Sequence, residues 1–215
     1  MELEYYGANC FRIKTRQGSV VVDDNLDKLG VKNPTKDADV VFYTSRQLLS
    51  EKAISKARLV IDSAGEFEVG DLSAKSMQTR GHMDEEGVES AFVHQFLYEG
   101  TTLTVLGHVH PDLSDDLLEM ISGTDVLIVP VGGNGYTLDA VGATSAVKKI
   151  EPHVIIPSQY DVAGLKFEIP AASLEDFIKT AALHATEPKD SYAVNKPDSE
   201  LVGQTHIVVL NIKKA

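Results

Sequence analysis

His108 and His110 stand two residues apart after an apolar run, and His82 lies in a polar stretch, residues 79–87. Side chains two apart in extended backbone share a face. Three imidazoles gathered in this way could hold a Zn or Mn ion through their ring nitrogens. A plainer arrangement of the same residues has His108 hydrogen-bonding across a cleft and His110 serving as a loop residue before Pro111. Around His82, residues 81–86 (Gly-His-Met-Asp-Glu-Glu) offer several more donors, and equally describe a solvated acidic loop. Asp23 and Asp24 close a valine-rich run; they suit a turn, and Asp24 is the one carried forward as a cleft residue. Glu66 and Glu68 alternate with Phe67 and Val69, so they share one strand face. Paired carboxylates can do acid–base work, although a solvated face is the ordinary outcome. Residues 132–135 (Gly-Gly-Asn-Gly) could cradle phosphate with backbone N–H groups, but the Lys-Ser/Thr of a phosphate loop is missing, and a tight turn serves the same residues. Thr137 or Asp139 would then cap the helix that follows. No Gly-x-Ser-x-Gly nucleophile motif is present, and Cys10 has no visible activating partner.

The elements that must position these residues follow from periodicity. Alternation predicts a hairpin over residues 2–24, turning at Arg16-Gln17-Gly18. Residues 39–44 and 58–62 read as strands flanking a helix over 45–56, and a strand or hairpin follows at 65–72. The pattern then returns: a hairpin over 91–98 and 101–106, a helix over 112–121 and a buried strand over 125–130. Helices are expected at 138–150 and from Ser173 to about His184, with a buried strand at 154–157 between them. Residues 185–204 are polar and rich in Pro, Asp, Ser and Lys, which predicts a mobile loop, and residues 205–212 a closing strand. Because the two halves echo each other, the expected fold class is α/β: a four-layer α/β/β/α sandwich of two mixed β-sheets, one domain over 1–215.

This order, and the residues at its strand ends, resemble the metallo-β-lactamase superfamily, and in particular its small bacterial Zn-dependent hydrolases related to the ascorbate-phosphate lactonases. The best-matching run is residues 125–140, Asp-Val-Leu-Ile-Val-Pro-Val-Gly-Gly-Asn-Gly-Tyr-Thr-Leu-Asp-Ala. Val22-Asp23, Gly65-Glu66-Phe67-Glu68 and Pro157-Ser158-Gln159-Tyr160 match further family segments. The resemblance implies a Thr-His-x-His-x-Asp-His loop, a Gly-Asp pair and a last His, which together hold one or two dications that activate water. Here that first loop is Thr44-Ser45-Arg46-Gln47-Leu48-Leu49-Ser50, the pair is Gly107-His108, and the last His slot holds Gln159. Leu cannot coordinate a metal, Ser is a poor neutral ligand and Gln offers only a weak amide oxygen. A hydrolase-like protein lacking most of its metal ligands is therefore expected, catalytically inactive or altered and acting in binding, with no cofactor. The alternative is a phosphoester or lactone hydrolase with a mononuclear Zn or Mn site rebuilt from His82, His108 and His110. The cleft residues the resemblance singles out are Asp24, Thr44, Gln47, Asn134, Tyr136 and Gln159.

A net charge of −12 over 215 residues argues against a duplex nucleic-acid or anionic-membrane partner, and no Lys/Arg cluster shows in the sequence. An unidentified small molecule or protein remains as partner, and self-association is compatible with the class. The single cysteine excludes an intrachain disulfide and fits a reducing, cytoplasmic setting; no signal peptide or membrane-length apolar run is visible.

Overall fold

The structure, a computed structural model, describes residues 1–194 and 203–215. In chain order its elements are β1 (Glu2–Gly7), β2 (Cys10–Lys14), β3 (Ser19–Val22), β4 (Val40–Phe42), α1 (Glu51–Ile54), β5 (Leu59–Ile61), β6 (Gly65–Val69), β7 (Leu72–Thr79), β8 (Ala91–Tyr98) and β9 (Thr101–Val105). They continue with α2 (Asp115–Ile121), β10 (Val126–Pro130), α3 (Ala140–Ile150), β11 (Val154–Ser158), α4 (Leu174–Ala181), β12 (Tyr192–Ala193) and β13 (His206–Ile207). Two mixed sheets form, in the orders β12-β1-β2-β3-β4-β5 and β13-β11-β10-β9-β8-β7-β6. Each joins an antiparallel ladder to a set of parallel strands.

Strand periodicity explains why the sheets stack. Val20, Val22, Val40 and Phe42 point into the core shared by both sheets. Their neighbours Val21, Val41 and Tyr43 point the other way, into a smaller cluster with Leu26 and Leu48 that covers the outer face of the first sheet. One short run of alternating positions thus feeds two apolar layers. In β10 and β11 every residue is buried, as parallel strands covered on both faces require. His94 of β8 is an exception inside the shared core: Ser76 Oγ lies 2.7 Å from its Nδ1, and its Nε2 stands 3.0 Å from the Tyr43 carbonyl of the other sheet. The Tyr43 oxygen can only accept, so Nε2 carries the proton and Nδ1 accepts from Ser76.

Several boundaries differ from the sequence reading. The helix expected over 45–56 is broken into a 3-10 turn, Arg46–Leu48, and the single-turn α1. Ser45 accepts from the Gln47 amide and Ser50 from the Ala53 amide, so two N-caps five residues apart restart the backbone. The helix from Ser173 stops at Ala181 because Ala182 takes a left-handed cap. The closing strand shrinks to His206–Ile207, with isolated bridges at Leu210 and Ile212. Of the stretch expected as a mobile loop, 185–204, residues Ala185 and Lys189 make bridges and Tyr192–Ala193 pair with β1, while 195–202 lie outside the described residues.

Candidate functional site

The loops singled out above meet where both sheets end, and backbone groups stitch them together. The Phe92 amide donates to the Thr44 carbonyl (2.7 Å), and the Gln159 amide to the Ala8 carbonyl (2.7 Å). Gly107, at φ +64°, lies so close to Thr44 that a Cβ there would stand 2.3 Å from its side chain. A Cβ on Gly132 would fall 1.9 Å from the Gln159 carbonyl. Glycine is what allows both approaches.

At the centre of this seam is Asp23. Its carboxylate accepts from the Thr44 amide (2.7 Å), Thr44 Oγ1 (2.6 Å) and Asn9 Nδ2 (2.7 Å). Ser158 of β11 donates to Asn9 Oδ1 (2.6 Å), completing a buried chain from one sheet to the other. Burial pushes the Asp23 carboxyl up to about 6, against the pull of the Thr44 and Asn9 donors. Asp24 points elsewhere: it accepts from Thr35, and its carbonyl from the Tyr43 hydroxyl, on the outer side of the first sheet. Strict alternation after Val22 would have turned Asp24 inward. The left-handed φ of +47° at Asp23 breaks that parity and exchanges the two carboxylates. The sequence assigns no role to Asn9 or to Ser158 of the Pro157–Tyr160 segment, where a turn Asn and a strand-end Ser look ordinary.

The three histidines divide. Residues 80–82 and 108–110 run antiparallel, the His82 amide donating to the His108 carbonyl (2.8 Å) and the His110 amide to the Arg80 carbonyl (2.9 Å). His110 uses its Nδ1 to accept from the Asp112 amide (3.0 Å). His82 and His108 line one small cavity of about 30 Å³ with Ser45, Gln47, Asp84 and Tyr136. That is room for about a water molecule. His108 is buried with neither ring nitrogen partnered among the described residues, and the Tyr136 ring packs edge-on against it at 4.9 Å. Burial, then the neighbouring His82, depresses the His108 imidazole to about 4; burial also lowers His82. Asp84 has its carboxylate engaged by the Gly81 and Ser90 amides and the Ser90 hydroxyl, which pins the loop.

Of the other cleft candidates, Gln47 is exposed at the cavity rim, and its carbonyl accepts from Lys28. Gln159 is buried in a left-handed turn. Asn134 is exposed, left-handed and tied through its side-chain amide to the Pro170 carbonyl. Asp139, not Thr137, caps α3 by accepting from the Gly142 amide. The structure therefore brings Thr44, Gln47, His82, His108, Tyr136 and Gln159 to one end of the molecule, and leaves Asp24 outside it.

These residues do not fit a dication. Zn takes three or four protein donors. Among the described residues no three His, Cys, Asp or Glu side chains are grouped so as to hold one ion. His82 and His108 supply two neutral imidazoles, and the carboxylates of Asp23 and Asp84 are committed to protein donors.

Two mixed sheets with flanking helices and a strand-end cleft define a metallo-β-lactamase fold. Residues 2–159 match the model of the β-lactamase superfamily domain, and the chain belongs to that superfamily. A UPF0173 protein of Pyrococcus abyssi is 25% identical over 189 residues, covering 76% of this chain and 85% of its own. Among solved structures, a Thermotoga maritima protein assigned to the Zn-dependent hydrolases of the metallo-β-lactamase superfamily superposes with a TM-score of 0.72 at 24% identity, covering 97% of both chains. Igni18, a metallo hydrolase of Ignicoccus hospitalis, gives 0.61 at 14% identity over 99% of this chain and 94% of its own.

Proposed function

We propose that this chain is a hydrolase-like member of the superfamily whose metal cleft has become a metal-independent joint, and that it acts in binding a small molecule or protein, not in metal-assisted hydrolysis. The observation that carries this reading is the Thr44–Asp23–Asn9–Ser158 chain, which spends the cleft carboxylate on protein donors. The cavity beside His82 and His108, about 30 Å³, has room for about a water molecule. Metal analysis of protein purified without chelators tests the reading. Substoichiometric Zn, Mn and Fe, with silence in phosphodiesterase and lactonase screens at every added metal, is the expected result. Stoichiometric metal that disappears in His82→Ala or His108→Ala would overturn it. We place the protein in the cytoplasm, in keeping with its one cysteine, Cys10, which is buried. Among the described residues no helix is long and apolar enough to cross a membrane.

One observation favours the alternative, a mononuclear hydrolase built on His82 and His108. A buried imidazole with both nitrogens unpartnered is costly unless something fills the gap. A water in the cavity would satisfy it as well as a metal would. The same metal analysis separates the two.

A further inference from the structure

At the opposite end of the first sheet, the starts of β3, β4 and β5 open into a groove of about 1240 Å³. Among the described residues, eight Lys and Arg side chains line it, against three Asp and Glu. In a protein of net charge −12 this local excess of five cations runs against the whole. Four segments far apart in sequence supply them, which is why no basic run announces the site.

The floor and the rim differ. On the floor, buried Arg12 donates to Asp39 (2.7 Å), to Ser19 (3.0 Å) and to the Pro34 carbonyl (2.5 Å), while its Nε is buried without a partner. Lys14 and Lys213 both reach buried Glu4. These pairs consume the buried acids. On the rim, Lys32, Lys36, Lys56, Arg58 and Lys214 are exposed, and among the described residues none has an acid within ion-pair distance. Holding like charges around one concavity is unfavourable without a counter-charge, and a concave wall focuses their field.

We infer that this groove binds a compact, multiply charged anion, a small molecule carrying a chain of phosphoryl groups. A terminal phosphate monoester carries about −1.5 to −2 at neutral pH, so two or three linked groups match the rim in a small volume. Lys acts as a point-charge partner for phosphate, and Arg58 adds a planar fork. Nucleic acid fits less well: Tyr6 is the one aromatic side chain lining the groove, its hydroxyl is held by Glu4 (3.0 Å), and it offers no stacking platform. The groove, at about 1240 Å³, is a little larger than the usual small-ligand site. The inference uses neither the strand-end cleft nor its metal status.

The test is calorimetric titration of the intact chain with inorganic triphosphate, against sulfate at matched ionic strength. Saturable one-to-one binding at least tenfold tighter than sulfate is expected. The variant Lys36→Gln, Lys56→Gln, Arg58→Gln should weaken it tenfold or more. The charge-keeping variant Lys36→Arg, Lys56→Arg, Arg58→Lys should stay within about threefold, as should Lys148→Gln, Lys149→Gln on α3, which does not line the groove. Near-UV circular dichroism verifies that each variant is folded. Binding no tighter than sulfate, or unchanged in the charge-removing variant, overturns the inference. Tighter binding of an oligonucleotide or a polyglutamate peptide than of triphosphate also overturns it, by assigning the groove to a macromolecule.

Discussion

Asp23 is held as a buried carboxylate by donors alone. Asp23→Ala would strand the Thr44 amide, the Thr44 hydroxyl and the Asn9 amide, and stability should fall by about 2–4 kcal/mol at pH 7, read from urea denaturation. The folded carboxyl titrates near 6, above the ordinary 3.8, so its contribution grows as pH falls through 6 and is complete below 3.8. The gap between wild type and Asp23→Ala should therefore widen on acidification through that window. His94 has the opposite sign. Burial depresses its imidazole to about 4, so the unfolded chain takes up a proton below pH 6.5 that the folded chain refuses until 4. Wild type should lose about 1.4 kcal/mol per pH unit across that window through His94. His94→Gln should remove this slope, at a cost of about 1–3 kcal/mol at pH 7.5 from the loss of the bridge between Ser76 and Tyr43. Denaturant midpoints of both proteins from pH 7.5 to 4 would check the difference.

At the scale of elements, strand ends meet because small side chains let them. Gly107→Ala places a methyl against Thr44 and strains a backbone at φ +64°; a loss of about 2–4 kcal/mol is expected. Thr44→Ala removes Oγ1 and Cγ2 but keeps the Cβ that would stand 2.3 Å away, so combining the two should recover only part of the steric loss, a coupling that a double-mutant cycle measures. The broken helix after β4 depends on its second cap. Ser50 accepts from the Ala53 amide (3.3 Å) and donates to Asp27 (2.6 Å). A one-turn helix has no propensity to spare, so Ser50→Ala should cost about 1–2 kcal/mol by thermal melting.

For the whole molecule, the two sheets hold each other through a shared core, the His94 bridge and the Asp23 seam. In the proposed reading of the cleft, none of these depends on a metal. Excess EDTA should leave the melting temperature unchanged, whereas a structural or catalytic ion bound only by the folded state would raise it by mass action. A drop in melting temperature with chelator, reversed by Zn or Mn, would contradict the proposed reading of the cleft. The charge distribution is also a whole-molecule property, because an acidic surface surrounds a basic groove that only the fold assembles.

Much of this was legible in the chain. Alternation at Val20–Val22 and Val40–Phe42, the fully apolar β10 and β11, and the cap at Ser173 specify elements through local periodicity, which a linear reading recovers. The absence of His and Asp from the slots at 45–50 and of His from 159 is equally a fact of sequence, because coordination chemistry needs particular atoms. What only the tertiary structure decided is direction and company. A single left-handed residue set Asp23 inward and Asp24 outward, a local hydrogen bond took His110 to Asp112, and segments far apart in sequence gathered the groove cations. Side-chain direction after a turn depends on one backbone angle, and proximity across long sequence separations depends on how the sheets stack, neither of which residue type encodes by itself.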